Sequence, residues 1–300
     1  MRPPLFARSA LDARLAAHAV ASLTMLASAG LSIAAALATV ATLATPLPVR
    51  ADCIDYGRYL HWMSVAETDD ARNVTLSGIY AYVPDHASGL RIVDVSIPFR
   101  PRIAGSLDTS GNALSVAISG DYAFVADDWS GIEVIDVSNA VAPTLAATVP
   151  IPNQAWSVAV QGHYLYVAAA YYGLYILDIS DPRSPRILSS VDTPDDAHSV
   201  VVTGVRAYVA DGTSGLEIID ISDPLSPRIL ATVDTPGYAW SVALAGGYAY
   251  VADYSAGLQV IDIAARQIVG SVNTLGTEFG VAIFGSGAWL WLFDFDDHIS

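Results

Sequence analysis

The chain has 300 residues, of which 53% are hydrophobic and only 15% charged, and its formal net charge is −16. So acidic a surface repels phosphate backbones and argues against nucleic acid as a partner. A single cysteine, Cys53, excludes both an intramolecular disulfide and a cysteine-based metal site.

Residues 1–51 read as a targeting segment. Arg2, Arg8 and Arg14 give it a positive start, and Leu15 to Val49 contains no Asp, Glu, Arg or Lys. Pro46 and Pro48 break the apolar run, and Val49-Arg50-Ala51 has the small-x-small form of a cleavage site ahead of Asp52. The expectation is a signal peptide over 1–51, or an N-terminal anchor if it stays uncleaved, because an apolar run of this length can span a bilayer. Contact with a membrane is expected only through that segment, and Asp52 before Cys53 does not suit lipidation. The remainder, 52–300, carries 29 acidic residues against 10 Arg and no Lys, a formal charge of −19. Solubility, basic partners and divalent cations all suit such a charge.

Residues 60–67 form a lone strand-like stretch, and from Val74 to Val272 a unit then recurs with a step of 42 residues. Within a unit such as 199–240, four apolar runs are separated by Gly, Asp, Ser and Pro: Ser199–Val202, Ala207–Ala210, Leu216–Ile221 and Arg228–Val233. β-branched and aromatic residues dominate the runs, and each is too short for an ordinary helix. Four short strands in about 40–45 residues is the spacing of a β-propeller blade. The runs are almost continuously apolar, so both faces of each sheet should be covered. First runs start at Ser115, Ser157, Ser199 and Ser241 and carry small residues, suited to the taper at a propeller axis. Second runs place Tyr82, Phe124, Tyr166, Tyr208 and Tyr250 in equivalent positions, suited to filling the wedge further out. The expected fold is therefore all-β: a β-propeller of four-stranded antiparallel blades, with five complete repeats and a partial sixth at Gly280–Ile283 and Ala288–Phe293. The fifth repeat is shortened at Ala264-Ala265-Arg266. The sixth lacks its third run, so the expectation is an open ring, a ring with a defective closing blade, or a chain truncated from a longer protein.

The third runs carry the clearest motif. Gly215-Leu216-Glu217-Ile218-Ile219-Asp220-Ile221 and Gly257-Leu258-Gln259-Val260-Ile261-Asp262-Ile263 resemble the LVIVD-repeat family of bacterial extracytoplasmic β-propellers. The resemblance spans roughly residues 60–294, recurs five times, and implies a secreted, periplasmic or cell-surface setting. It implies no catalytic residues.

The motif's carboxylates, Asp94, Asp136, Asp178, Asp220 and Asp262, each close a third run before a turn. A cation-binding ring is one reading. Five unpaired, partly buried carboxylates would cost more than the roughly 5–15 kcal/mol by which domains are stable. The expectation is therefore structural, each accepting N–H groups of its own turn. Asp85, Asp127, Asp211 and Asp253 end the second runs, with Ala169 in their place in the third unit, and a turn role is expected there as well.

Function is expected where the units differ. Loops between second and third strands, and loops entering each first strand, share one face of a propeller, and function concentrates on such loops. Trp129, Tyr171, Tyr172 and Tyr254 lie on the first class of loop. The second class ends at Arg72, Leu114, Trp156, His198 and Trp240, one register position that changes type between blades. Trp129, Trp156, Tyr171, Tyr172, His198, Trp240 and Tyr254 are the candidate ligand-binding residues, and aromatics among acids suit carbohydrate or protein partners. The competing reading is that these rings merely pack the loops. Asp195-Asp196 beside His198 invites a catalytic pair, but loop acids are usually solvated. No nucleophile elbow, phosphate loop, zinc-protease or calcium-loop motif occurs, so no catalytic residue, cofactor or metal is expected. A binding or adhesion scaffold is the leading expectation, with a hydrolase or lyase at the channel mouth and a structural spacer as alternatives.

Overall fold

A computed structural model describes residues 68–273, 278–283 and 290–294. The segment 1–51, Cys53 and the strand expected over 60–67 lie outside the described residues.

Twenty-two strands follow one another, and no helix occurs among the described residues. Blade one comprises β1 (Thr75–Ser77), β2 (Tyr80–Pro84), β3 (Leu90–Asp94) and β4 (Arg102–Leu107). Blade two comprises β5 (Ser115–Ser119), β6 (Tyr122–Ala126), β7 (Ile132–Asp136) and β8 (Thr144–Val149). Blade three holds β9 (Ser157–Gln161), β10 (Tyr164–Ala168), β11 (Leu174–Asp178) and β12 (Arg186–Val191). Blade four holds β13 (Ala197–Thr203), β14 (Arg206–Asp211), β15 (Leu216–Asp220) and β16 (Arg228–Val233). Blade five holds β17 (Ser241–Ala245), β18 (Tyr248–Ala252), β19 (Leu258–Asp262) and β20 (Gln267–Val272). Each is an antiparallel meander with strands paired in chain order. A further hairpin pairs β21 (Glu278–Ile283) with β22 (Leu290–Asp294).

The core lies between blades. One face of blade one (Tyr82, Leu90, Ile92) packs on the opposite face of blade two (Ala123, Val125, Ile135). The same pairing sets Phe124 and Val134 against Leu165, Val167 and Leu177. Tyr166 and Ile176 meet Val209 and Ile219, and Tyr208 and Ile218 meet Val251 and Ile261. The aromatic faces of blades one to four therefore fill the wedge against the aliphatic face of the next blade. Third strands are buried on both faces, whereas fourth strands stand at the outer edge and are largely exposed or half-exposed. Every pairing of third with fourth strand contains a register shift, as between Ile176 and Leu177, leaving one extra residue on the outer strand. Such bulges sharpen local twist at a sheet edge.

First strands are stapled to one another across blades. The hydroxyl of Ser115 accepts from Val158 N at 3.3 Å, Ser157 from Val200 N at 3.3 Å, and Ser199 from Val242 N at 3.4 Å. Ser241 accepts from Val281 N at 3.4 Å, which carries the series into β21. The small residue that suits a crowded axis thus also satisfies a backbone donor of the neighbouring blade.

The turn from second to third strand puts one residue in the left-handed region in every blade: His86, Asp128, Ala170, Gly212 and Tyr254 have φ between 44° and 53°. The glycine three residues later is required for a second reason. A Cβ on Gly89, Gly131, Gly173 or Gly215 would stand 2.3–2.4 Å from a carbonyl oxygen of the same blade's fourth strand. Only glycine fits so close an approach at positive φ.

Candidate functional site

On the variable face, the turn between second and third strands of one blade is zipped to the loop entering the next. His86 pairs with Ala113, Asp128 with Ala155, Ala170 with Ala197, and Gly212 with Ala239, as isolated antiparallel bridges. Ala170 N donates to Ala197 O at 3.2 Å, and Ala197 N returns the bond at 3.1 Å. The two loop classes singled out in the sequence therefore form one continuous surface.

A buried aspartate fixes each entering loop. Asp85, Asp127, Asp211 and Asp253 are fully buried. Asp127 accepts from Thr109 Oγ1 and Gly111 N, both at 2.6 Å. Asp253 accepts from Thr235 Oγ1 at 2.6 Å and Gly237 N at 2.9 Å. Asp211 takes Thr193 Oγ1 and Asp195 N, and Asp85 takes the N–H groups of Asp69 and Asp70 together with Arg91 Nε. The expected partners were those of the aspartate's own turn. The donors named here instead lie 15–18 residues upstream on the loop entering the blade, apart from Arg91, which lies on β3. Burial raises the carboxyls of Asp127, Asp211 and Asp253, with the hydrogen bonds opposing. Blade three replaces the pair: where blades two, four and five have Asp and Thr it has Ala169 and Ile151, both buried in one apolar cluster.

The carboxylates of the third strands lie at the opposite end of the blades. Asp94, Asp136, Asp178 and Asp220 accept from the backbone N–H two residues on, at 2.8–3.1 Å, and Asp262 takes those of Ala264 and Ala265 at 2.9 Å. Arg102 and Arg228 reach Asp94 and Asp220 at 2.9 Å. Hydrogen bonds from Ser96 and Ser222, then the two arginines, hold Asp94 and Asp220 down at about 2. Among the described residues, no group of three or more His, Cys, Asp or Glu is placed to hold a metal ion.

Of the seven candidate binding residues, the structure brings three into direct contact. Trp156 meets His198 edge-on with ring centroids 5.0 Å apart, and His198 lies against Trp240 at 4.0 Å. Trp156 also touches Trp240 at 5.7 Å, although a whole blade separates their strands. Contact across a skipped blade requires the first strands to converge on a common axis. Tyr171, exposed on its loop, lies close enough to Asp196 for the charge of that carboxylate to raise its phenol. Trp129 and Tyr172 stand exposed on the same face, outside the touching rings, and Tyr254 is half-buried on the equivalent loop of blade five.

Tyr238 completes the cluster, and sequence reasoning missed it. Its ring centroid is 5.3 Å from that of His198 and 5.5 Å from that of Trp240. Its hydroxyl donates to Asp196 Oδ2 at 3.0 Å and lies 3.0 Å from His198 Nε2. The signal was available. Asp70, Asn112, Gln154, Asp196 and Tyr238 form a second register position that changes type between blades, two residues before the one singled out. Its members are polar: Gln154 and Asn112 both donate to Asp128, at 2.9 and 3.1 Å, and Asp70 pairs with Arg72 at 2.6 Å. Burial lowers His198 to about 4, keeping the imidazole neutral over most of the pH range. Burial also raises Tyr238, and Asp196 adds to that effect through the bond it accepts and its charge. Asp196 itself is raised by burial, and Asp195 adds to the effect.

The model of the LVIVD repeat matches residues 69–109, 110–150, 152–193, 194–235 and 236–274. The chain belongs to the LVIVD-repeat family. Each of the five matched segments takes in the loop entering a blade and that blade's four strands, so the family's unit and the structural unit coincide. No curated protein sequence matches this LVIVD-repeat chain. Among solved structures it is similar to the crystal structure of the computationally designed Ika8 protein, with a TM-score of 0.58 and 7% identity. That match covers 70% of this chain and 64% of the designed one, and it bears on fold alone.

Proposed function

We propose that this LVIVD-repeat protein is an extracytoplasmic, non-enzymatic binding or adhesion scaffold whose variable face takes carbohydrate or protein partners. One observation carries the reading. Trp156, His198, Trp240 and Tyr238, drawn from loops entering three successive blades, touch one another at the end of the axis where the variable loops meet. The two tryptophans and the tyrosine remain half-exposed there. Packing alone needs no such convergence, because the inter-blade clusters already bury the sheet faces. Aromatic rings with a few convergent polar groups are the usual make-up of a recognition surface. The leader-like segment 1–51 supports an extracytoplasmic setting.

The test combines glycan and peptide arrays with a Trp156→Ala/His198→Ala/Trp240→Ala variant, folding being followed by circular dichroism. The expected result is binding by the parent chain that is lost in the folded variant. Binding that survives the triple substitution removes the mouth as the site, and an absence of any ligand leaves a structural spacer.

A further inference from the structure

The hydrogen bonds of the cluster fix where its protons are. Tyr238 donates its only hydroxyl proton to Asp196 Oδ2, so its oxygen must accept from His198 Nε2. A neutral imidazole with a proton on Nε2 has a bare lone pair on Nδ1. His198 is only 8% exposed, and its Nδ1 has no partner among the described residues. Asp196 Oδ1, buried alongside, likewise lacks one. Both unsatisfied atoms are acceptors, so what the mouth lacks is donors. An ammonium or a guanidinium brings donors and no acceptor, whereas a sugar hydroxyl brings an acceptor with each donor.

Charge agrees with this count. Asp195, Asp196, Asp211 and Glu217 lie close enough to influence one another, and no ion pair among the described residues involves any of them. The rings beside them present the negative π faces that attract cations. Trp156 and Trp240 touch at 5.7 Å, too close to enclose a cation, so it would sit on the half-exposed outer side of the rings. Tyr171, an exposed side chain, stands near Asp196 and feels its charge.

We propose that the mouth formed by blades three, four and five recognises a basic side chain of a partner peptide, Lys or Arg, with Asp196 as counter-ion and Trp240 and Trp156 as the aromatic surface. The proposal rests on the reading of this face as a binding surface and names what it binds.

The experiment screens the full chain against short peptides containing Lys or Arg, charge-neutral and acidic counterparts, and a neutral glycan array, then measures affinity by calorimetry at low and physiological salt. Basic peptides should bind, and added salt should weaken them. Asp196→Asn and Trp240→Ala should each weaken binding roughly tenfold or more. Trp240→Ala keeps the test alive if Asp196→Asn fails to fold. Binding of neutral glycans that is insensitive to salt and to Asp196→Asn would overturn the proposal while leaving the binding-scaffold reading intact. The absence of every ligand from a folded parent chain would overturn both.

Discussion

Replacing Glu217 by Gln should stabilise the protein, and only above acid pH. Glu217 lies fully buried on β15, with Oε2 accepting from Thr232 Oγ1 at 2.9 Å and Oε1 without a partner among the described residues. In blade two the equivalent Glu133 accepts from Ser110 N at 3.1 Å, but the residue at that place in blade four is Pro194, which has no N–H. Burial, with the charge of Asp211 adding to it, pushes Glu217 from 4.5 up to about 7. A raised carboxyl pKa opposes folding. Below pH 4.5 the group is neutral both folded and unfolded and costs nothing. Between 4.5 and about 7 the unfolded chain gives up a proton that the folded chain keeps, and above about 7 the penalty is complete. At about 1.4 kcal/mol per unit it reaches about 3 kcal/mol. Blade five shows that Gln fits: Gln259 Nε2 donates to Ala256 O at 3.0 Å while its Oε1 accepts from Ser271. The counterpart of Ala256 in blade four is Ser214, so the same bond is within reach. Thermal unfolding across a pH series should show Glu217→Gln raising Tm by roughly 6–12 °C near pH 8 and hardly at all near pH 4. A gain of equal size at both pH values, or a loss near pH 8, would refute the reasoning.

Blade three suggests a double-mutant cycle. Thr235→Ile and Asp253→Ala alone should each cost about 1–3 kcal/mol, because each strands a buried partner. Made together they imitate Ile151 and Ala169, and urea unfolding should show a favourable coupling of about 0.5–3 kcal/mol. Gly173→Ala, whose Cβ would stand 2.3 Å from Val191 O, should cost more than about 3 kcal/mol or prevent folding. Gly162→Ala has a similar φ, 62°, but nothing within 4 Å, and should cost only about 1–2 kcal/mol. Asp220, held at about 2, contributes stability that is present above the ordinary carboxyl range and fades as pH falls towards 2. Its NMR titration midpoint should rise in Ser222→Ala more than in Arg228→Ala, following the order of its stabilising contacts.

The fold was legible because the step of 42 repeats both the apolar runs and the residues that end them. A glycine such as Gly173 at every fourth turn position, or Asp178 two residues before a turn N–H, does a job defined within a few residues of chain. What the spacing did not show is contact between units. Asp127 carries the same local signs as Asp136, yet its named donors sit on the loop entering its blade, 16 and 18 residues back. The clue was the joint departure of Ile151 and Ala169 from the pattern within one unit. Trp156, His198 and Trp240 were found because their position varies where others repeat, whereas Tyr238 was passed over although its position varies in the same way. That Tyr238 turns inward and joins Asp196 to His198 is a matter of side-chain direction, which spacing does not encode.

The serine bonds between first strands give the molecule a grammar as well as a fold. From blade two onward each unit offers its successor one hydroxyl, so those junctions speak the same short phrase in the same direction, whereas at the first junction the hydroxyl of Thr75 donates to Val116 O instead. Duplicating or deleting a stretch of 42 residues would leave that phrase intact at the new seam, and the number of blades becomes a quantity that descent can edit in single strokes.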